Sequence, residues 1–332
     1  MAITGTKPFF RFQAGIESTP GTAVAATRIQ PIVSGNMVEH GERTFIDEER
    51  NSLIKNFRAV ATKQFVELSG IEVAPTFEDL AWWLQFFAKG GVAGVVEDTS
   101  AYRYTYIPTA TSDDLKTLTS EVGDDTQGYQ VPFCVGTRLE LTFARNAPAS
   151  MNVGFLGKQA DPVSFTGALS QRVTEDINGA LAAVYIDADG GTIGATAVTN
   201  VLDVKIGLDT MQTQFWALNG SLAPVDAYRN APRSASLAMT MAFNDTTEYA
   251  AFKANFNGDD ARLIRVKVPG SVVGATTTTK LAQFDLYTVW AEAPFGEQDG
   301  LRVIQLSGET KYYPTATKDW DFQVVNGLPT LA

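Results

Sequence analysis

The sequence contains very little cysteine or histidine, since Cys134 and His40 are the sole examples among 332 residues. One cysteine excludes an internal disulfide. Neither a histidine metal cluster nor a Cys-x-x-Cys motif can be assembled, and histidine-based catalysis is disfavoured. No apolar run approaches the ~18 residues that a membrane-spanning helix needs. These absences predict a protein with no catalytic centre, no cofactor, no metal site and no membrane anchor.

A signal sequence is also lacking, because the first ten residues, MAITGTKPFF, do not show a charged segment followed by an apolar one. The chain is therefore expected to be made in a cytoplasm. Its net charge of −11 favours solubility and argues against a protein that wraps tightly around the DNA backbone. At 332 residues the chain exceeds the roughly 250–300 residues at which a single core stops growing. Two domains are therefore expected.

One plan of secondary structure occurs twice along the chain. In each copy a predicted strand leads into a short capped helix, and the helix is followed by another strand and then by a strand pair. The predicted strands of the first copy are Gln64–Val73, Tyr102–Pro108, Thr137–Phe143 and Met151–Leu156. Those of the second copy are Ser234–Phe243, Arg262–Pro269, Leu281–Trp290 and Leu301–Leu306.

The helix signals are local. Thr76 and Asp79 resemble a capping box, and apolar residues then recur at helical spacing up to Phe87. A second helix is predicted behind Asp245 and Glu248. Strand segments such as Arg138–Phe143 alternate apolar and polar residues, which is typical of antiparallel sheet with one buried face. The fold class predicted is mainly β, with two tandem antiparallel β-sandwich domains, each with one flanking helix.

The predicted domains are residues 1–165 and 166–332, joined through a connection at Asp161–Gly179 with little structure of its own. An exposed loop or arm is predicted near residues 39–60 of the first domain, because charged residues of both signs cluster there. The arm residues are Glu42, Arg43, Asp47, Glu48, Glu49 and Arg50. The carboxy-terminal segment from Tyr312, with Trp320 and Phe322, is expected to form a final strand.

No segment of the chain is a strong candidate for a catalytic or metal-binding site. The segment Asp187–Gly191 has a faint likeness to a calcium loop, but Val198 stands where a later ligand is expected, so a hairpin turn is favoured. Cys134 lies between Phe133 and Val135, which suits a buried, inert thiol. The sequence therefore predicts no enzyme, with no catalytic, cofactor-binding or metal-binding residues.

A family resemblance is carried by the residues near the amino terminus. The segment from Glu17 through Pro20, Gly21 and Thr22 to Val24, followed by Thr27-Arg28 and a strand, resembles the amino-terminal signature of the tail tube (major tail) proteins of long-tailed, siphovirus-type bacteriophages. The order strand, capped helix, strand and hairpin is also similar to that of the family's tube domain, a β-sandwich flanked by one helix. By element order the resemblance covers most of the chain.

The resemblance implies a structural virion protein that self-assembles into stacked rings and forms a conduit for genome ejection into the host cell. Two tube domains in one chain imply a trimeric ring with pseudo-sixfold symmetry. The implied partners are other copies of the chain, the tape measure, terminator and baseplate proteins, and double-stranded DNA that passes through the lumen without specific binding. The implied location is the virion tail, with the arm as the contact between rings.

A tube that carries DNA is expected to have a net-negative bore, because lumenal cations would retain phosphates. The predicted lumen-facing residues are acidic and lie on polar faces of predicted strands: Glu67, Glu140, Asp203 and Asp285.

An alternative from another class is a β-sandwich carbohydrate-binding module, such as an adhesin. It would use tryptophans that stack on sugars, and the chain has five: Trp82, Trp83, Trp216, Trp290 and Trp320. A hydrolase is less favoured, because no carboxylate pair stands out by its spacing.

Overall fold

The computed structural model describes residues 10–49, 51, 53–54, 58–109, 115–244 and 246–331. The predictions made for Arg50 and for Asp245 lie outside these residues. Strands contain 52% of the chain and helices 7%, and the strands pair antiparallel, so the mainly β prediction is confirmed.

The first-half strands are β1 (Arg11–Ile16), β2 (Arg28–Ile29), β3 (Ser34–Phe45), β4 (Ala59–Val73), β5 (Val95–Asp98), β6 (Ala101–Tyr106), β7 (Leu118–Gly123), β8 (Gly128–Ala144), β9 (Ser150–Gly157) and β10 (Asp161–Val163). The second-half strands are β11 (Ala183–Asp187), β12 (Ala197–Val198), β13 (Val201–Asp209), β14 (Gln212–Phe215), β15 (Asp226–Arg229), β16 (Ser234–Ala242), β17 (Arg262–Val272), β18 (Thr279–Glu292), β19 (Phe295–Gln298), β20 (Leu301–Thr310) and β21 (Trp320–Asn326). The helices are α1 (Phe77–Phe87), α2 (Thr247–Ala254) and a 3-10 turn at Gly179–Leu181.

The pairing gives three connected sheets and a separate hairpin of β14 and β15. Sheet I has the order β3–β4–β9–β8–β13–β16–β20, with the end of β18 and all of β19 on the far side of β20. Sheet II has the order β12–β11–β17–β18–β21–β6–β5. Sheet III has the order β2–β1–β7–β8–β10. The long strands β8 and β18 each belong to two sheets: β8 runs from sheet III into sheet I, and β18 runs from sheet II into sheet I.

The same pairing pattern occurs in both halves. In the first half β1 pairs with β2 and β7, β7 with β8, and β8 with β10. In the second half β11 pairs with β12 and β17, β17 with β18, and β18 with β21. Likewise β3–β4–β9–β8 corresponds to β13–β16–β20–β18, and a helix follows both β4 and β16. The counterpart of β17 is thus β7, not the predicted strand at Tyr102–Pro108, because β6 pairs with β21 instead.

The two halves share their sheets and their core. Strand β8 pairs with β13 in sheet I, and β6 pairs with β21 in sheet II. The core faces of the sheets meet through contacts such as that between the rings of Phe143 and Phe284, 5.7 Å apart, within one buried apolar cluster. A chain of this length can therefore fold around one continuous core while keeping two similar units.

Helix α1 begins as the sequence predicts. The Thr76 hydroxyl accepts a hydrogen bond from the Asp79 backbone N–H at 3.1 Å, which satisfies one of the free donors of the first turn. Its last turn lies against β8 at Gly136, where a β-carbon would stand 2.6 Å from the carbonyl oxygen of Phe86. A glycine is therefore required at the point where β8 changes sheets.

The connection between the halves is more ordered than predicted. Thr166 donates its backbone N–H to the buried Glu121 carboxylate at 2.7 Å. Ile177 is 1% exposed and bonds through its backbone to Pro75 and Ala149. The expectation of little structure at Asp161–Gly179 is wrong because these contacts tie the connection to the first half, and Glu175 ties it to the second half by accepting a hydrogen bond from the Ser271 backbone N–H at 2.7 Å. The predicted final strand is confirmed as β21.

Candidate assembly surfaces

The signature turn near the amino terminus is held by one buried carboxylate. Glu17 is 3% exposed and accepts hydrogen bonds from the backbone N–H groups of Gly21 and Phe133, both at 2.7 Å. It also accepts from the hydroxyls of Thr117 (2.7 Å) and Thr119 (2.8 Å). Four donors on one carboxylate join the turn to β7 and β8. Glu17 therefore acts within the fold.

The rest of the signature turn is at the surface. Gly21 has a φ of +80°, a conformation that glycine adopts without strain. Pro20 and Thr22 are exposed, and the Thr22 backbone N–H donates to the Thr19 carbonyl. The turn is thus a rigid, exposed corner beside sheet III.

Three of the four predicted acidic residues share one surface. Glu67, Glu140 and Asp203 all lie on the polar face of sheet I, because their strand neighbours on either side face the core. Glu140 forms ion pairs with Lys205 at 2.8 Å and Arg138 at 3.0 Å, and Glu67 contacts His40 at 3.2 Å. This face joins both halves through the β8–β13 pairing.

The polar face of sheet I is acidic overall among the described, strand-paired residues. Its carboxylates are Glu42, Glu67, Glu72, Glu140, Asp203, Asp209, Glu292 and Glu309, and its cations are Lys63, Arg138 and Lys205. Carboxylates therefore outnumber cations on this face.

Asp285 lies elsewhere, on the outer face of sheet II. It is 4% exposed and accepts two hydrogen bonds from the Arg265 guanidinium, both at 2.7 Å. Burial raises the pKa of Asp285, while Arg265 opposes that rise and Asp321, directly opposite on β21, adds to it. The four predicted acidic residues therefore do not form one surface, since alternation places a residue on a face but does not identify the sheet.

The arm is a two-stranded ribbon and not a loop along its whole length. Glu42 and Arg43 lie in β3, which pairs with β4 as far as Phe45 opposite Ala59. Asp47, Glu48 and Glu49 follow the strand, and Glu48 is ion-paired with Arg58 at 2.7 Å. Loop structure thus begins later than predicted, because backbone pairing continues where the core no longer supports it.

The ribbon end also exposes apolar side chains that charge patterning did not indicate. Leu53 and Ile54 are fully or largely exposed, at 108% and 85%, and Phe45 and Val60 are more than half exposed. They are suited to contact with another molecule.

Two strand edges of sheet I are open. Among the described strands β3 pairs only with β4, and β19 pairs only with β20. They lie at opposite ends of the strand order. Open edges carry unpaired backbone N–H and C=O groups, which are the usual sites of strand addition.

The two candidates for metal binding or reactivity, the Asp187 loop and Cys134, have structural roles. Asp187 accepts hydrogen bonds from the backbone N–H groups of Gly194, Ala195 and Thr196, and β11 pairs with β12 around this loop, so the predicted hairpin is confirmed. Burial raises the pKa of the Cys134 thiol to about 12, which keeps it protonated. In the part of the chain that the structure describes, no group of three or more His, Cys, Asp or Glu residues could hold a metal ion.

The tryptophans do not form a sugar-stacking surface. Trp82, Trp83 and Trp320 are fully buried, and Trp290 is 8% exposed. Trp216 is half-buried, with the Lys63 ammonium 4.7 Å from its ring centroid. The carbohydrate-binding alternative therefore gains no support.

The architecture defines a class, a β-sandwich protein whose sheet I has open edges among the described strands. A family model described as phage tail tube protein matches residues 11–310. The chain belongs to the phage tail tube protein family, which is a structural and not an enzyme family. No curated protein matches the chain.

Family membership identifies a viral structural protein of the virion tail that assembles with itself and with other tail components. No helix among the described residues is long and apolar enough to cross a membrane.

Proposed function

We propose that three copies of this chain form one ring of the tail tube, and that stacked rings form the conduit for genome ejection into the host cell. Each chain supplies two tube domains, residues 1–165 and 166–332, so a ring contains six similar units. The observation that carries this proposal is the pairing pattern that occurs once in each half. The chain acts passively, without enzyme activity.

The open edges of sheet I supply the reason for ring closure. When the β19 end of one chain meets the β3 end of the next, the unpaired backbone groups of both edges are satisfied, and closure leaves no edge exposed. Ring-to-ring contacts are head to tail and therefore propagate into a filament. The assembled tube joins tape measure, terminator and baseplate proteins, and its subunits are made in the host cytoplasm.

The polar face of sheet I lines the bore in this arrangement, with Glu67, Glu140 and Asp203 as lumenal residues. The excess of carboxylates on that face supports the assignment, because a negative wall repels DNA phosphates and allows transit. Screening limits this repulsion to roughly 8–10 Å from the wall. Asp285 is not proposed as lumenal, since it is buried against Arg265 in sheet II.

Electron cryo-microscopy of tubes assembled from the purified chain tests the proposal. We expect rings of three chains with six similar sandwich units, and a bore lined by the sheet that carries Glu140 and Asp203. Six chains per ring would contradict the proposed stoichiometry, and a bore lined by sheet II would contradict the lumenal assignment. A chain that stays monomeric at high concentration would contradict tube formation itself.

We further propose that the ribbon of β3 and β4, with its exposed tip, bridges adjacent rings. Leu53→Asp is expected to leave rings intact but to shorten tubes at least tenfold, because a charge replaces a fully exposed apolar contact. Negative-stain length distributions measure the effect. Val173→Asp, at another exposed apolar residue, is the matched control, and normal tube lengths for Leu53→Asp would contradict the bridging role.

A further inference from the structure

Helices α1 and α2 hold the same place in the two halves but differ in how they are covered. Each follows a threonine N-cap, Thr76 or Thr246. Six and ten residues after the cap, α1 has Trp82 and Phe86, whose ring centroids are 4.7 Å apart. At the same spacing the second half has Phe252 and Phe256, 6.1 Å apart. Phe86 is fully buried, whereas Phe256 is 72% exposed.

The cover over α1 includes contacts from the second half of the same chain. Lys280 forms an ion pair with Glu78 near the start of the helix. Asn326 donates to the Phe77 carbonyl at 2.9 Å, and the Arg233 guanidinium donates to the Ala88 carbonyl at the helix end at 2.8 Å. These second-half residues help to bury both ends of α1.

A strand junction accompanies this covered helix. Residues Arg138–Ala144 of β8 pair with Asp203–Asp209 of β13, and sheet I passes from the first half to the second without a break. The junction between the halves therefore has two parts, a helix face that is covered and a strand edge that is paired.

At the far end of the second half, a helix face and a strand edge again lie side by side, but no other part of the described chain covers the helix face or pairs with the strand edge. The aromatic face of α2, half-buried at Tyr249 and Phe252, continues into β19, because the Phe295 ring lies 4.9 Å from Tyr249. Phe295 belongs to β19, which together with the end of β18 flanks β20 at the open edge of sheet I, as β8 flanks β9 in the first half. At the opposite end of sheet I, β3 is the counterpart of β13 and also has an open edge.

We propose that the aromatic surface formed by Tyr249 and Phe252 of α2, Phe256 just after the helix and Phe295 of β19 is the docking surface for the first half of the next copy of this chain. The docked copy repeats, between chains, the junction that covers α1 within the chain. The helix face is continuous with the open strand edge at which sheet I extends, so one partner occupies both. This proposal rests on the ring proposed above and identifies its subunit contact.

The first test is Phe256→Asp in the full chain. Because the side chain is already exposed, the subunit should keep its circular dichroism spectrum and melting temperature, while rings and tubes should be lost at concentrations at which the wild type assembles. Val173→Asp, at a residue that is 93% exposed and outside the patch, should assemble normally. Normal tubes formed by Phe256→Asp would overturn the proposal.

The second test measures directly whether position 256 becomes buried when subunits assemble. In Phe256→Cys the introduced thiol should react with a maleimide at least tenfold more slowly in tubes than in free subunits, and the buried Cys134 should contribute little background. Val173→Cys should stay reactive in tubes. Tubes of Phe256→Cys in which the introduced thiol remains reactive overturn this interface but leave the tube function standing. A wild-type chain that never forms rings overturns both.

Discussion

Phe86→Ala is expected to lower the free energy of unfolding of the subunit by about 3–5 kcal/mol, the usual cost of removing a buried phenylalanine. Phe86 is fully buried between Trp82 and Phe155, and the helix around it cannot easily close the cavity because both of its ends are bonded to the second half. Phe256→Ala, the change at the corresponding place in the second half, is expected to alter this free energy by less than about 0.5 kcal/mol.

Chemical denaturation at a subunit concentration below that of assembly measures both changes. The comparison is matched, because both residues are phenylalanines ten positions after a threonine cap. A similar loss for the two variants would show that α2 is as well packed as α1 in the free chain. That result would remove the reason to expect a second copy over α2.

Glu17→Ala is expected to lower the free energy of unfolding by roughly 2–5 kcal/mol, because the buried backbone N–H of Phe133 and the partly buried backbone N–H of Gly21 lose their acceptor. The hydroxyls of Thr117 and Thr119 lose theirs as well. Thermal or denaturant unfolding of the free subunit measures this loss.

Glu39→Ala provides the control for Glu17→Ala, since Glu39 is exposed on β3 and should change stability by less than about 0.5 kcal/mol. The structure places Glu17 in the fold, so its loss should lower stability before it affects assembly. A Glu17→Ala variant with wild-type stability and no assembly would contradict this and would make Glu17 a contact residue between subunits.

Local features of this protein were predictable from the sequence. The cap of α1 at Thr76, the buried alternation of Leu139, Leu141 and Phe143, and the last strand around Trp320 all appear in the structure. Each depends on a few neighbouring residues, through a side chain that caps its own helix or through a period of two that separates a buried face from a polar one. The family resemblance rested on equally local residues around Glu17.

Features that depend on distant partners were not predictable in this way. The sequence did not distinguish β7 from β6 as the counterpart of β17, because the partner that separates them, β21 beside β6, lies far along the chain. It also did not separate Asp285 from Glu140, since both alternate with apolar neighbours. Only Arg265 and the packed surroundings of β18 make Asp285 a buried residue.

The sequence by itself determined that this protein is a mainly β, two-helix chain of the tail tube family. Helix capping, strand alternation and the signature turn each depend on residues that are close together in the sequence. Only the tertiary structure decided which edges stay open and which of two similar helices is covered. Those properties depend on the packing of the second half against the first, and contacts between residues more than a hundred positions apart leave no short-range pattern.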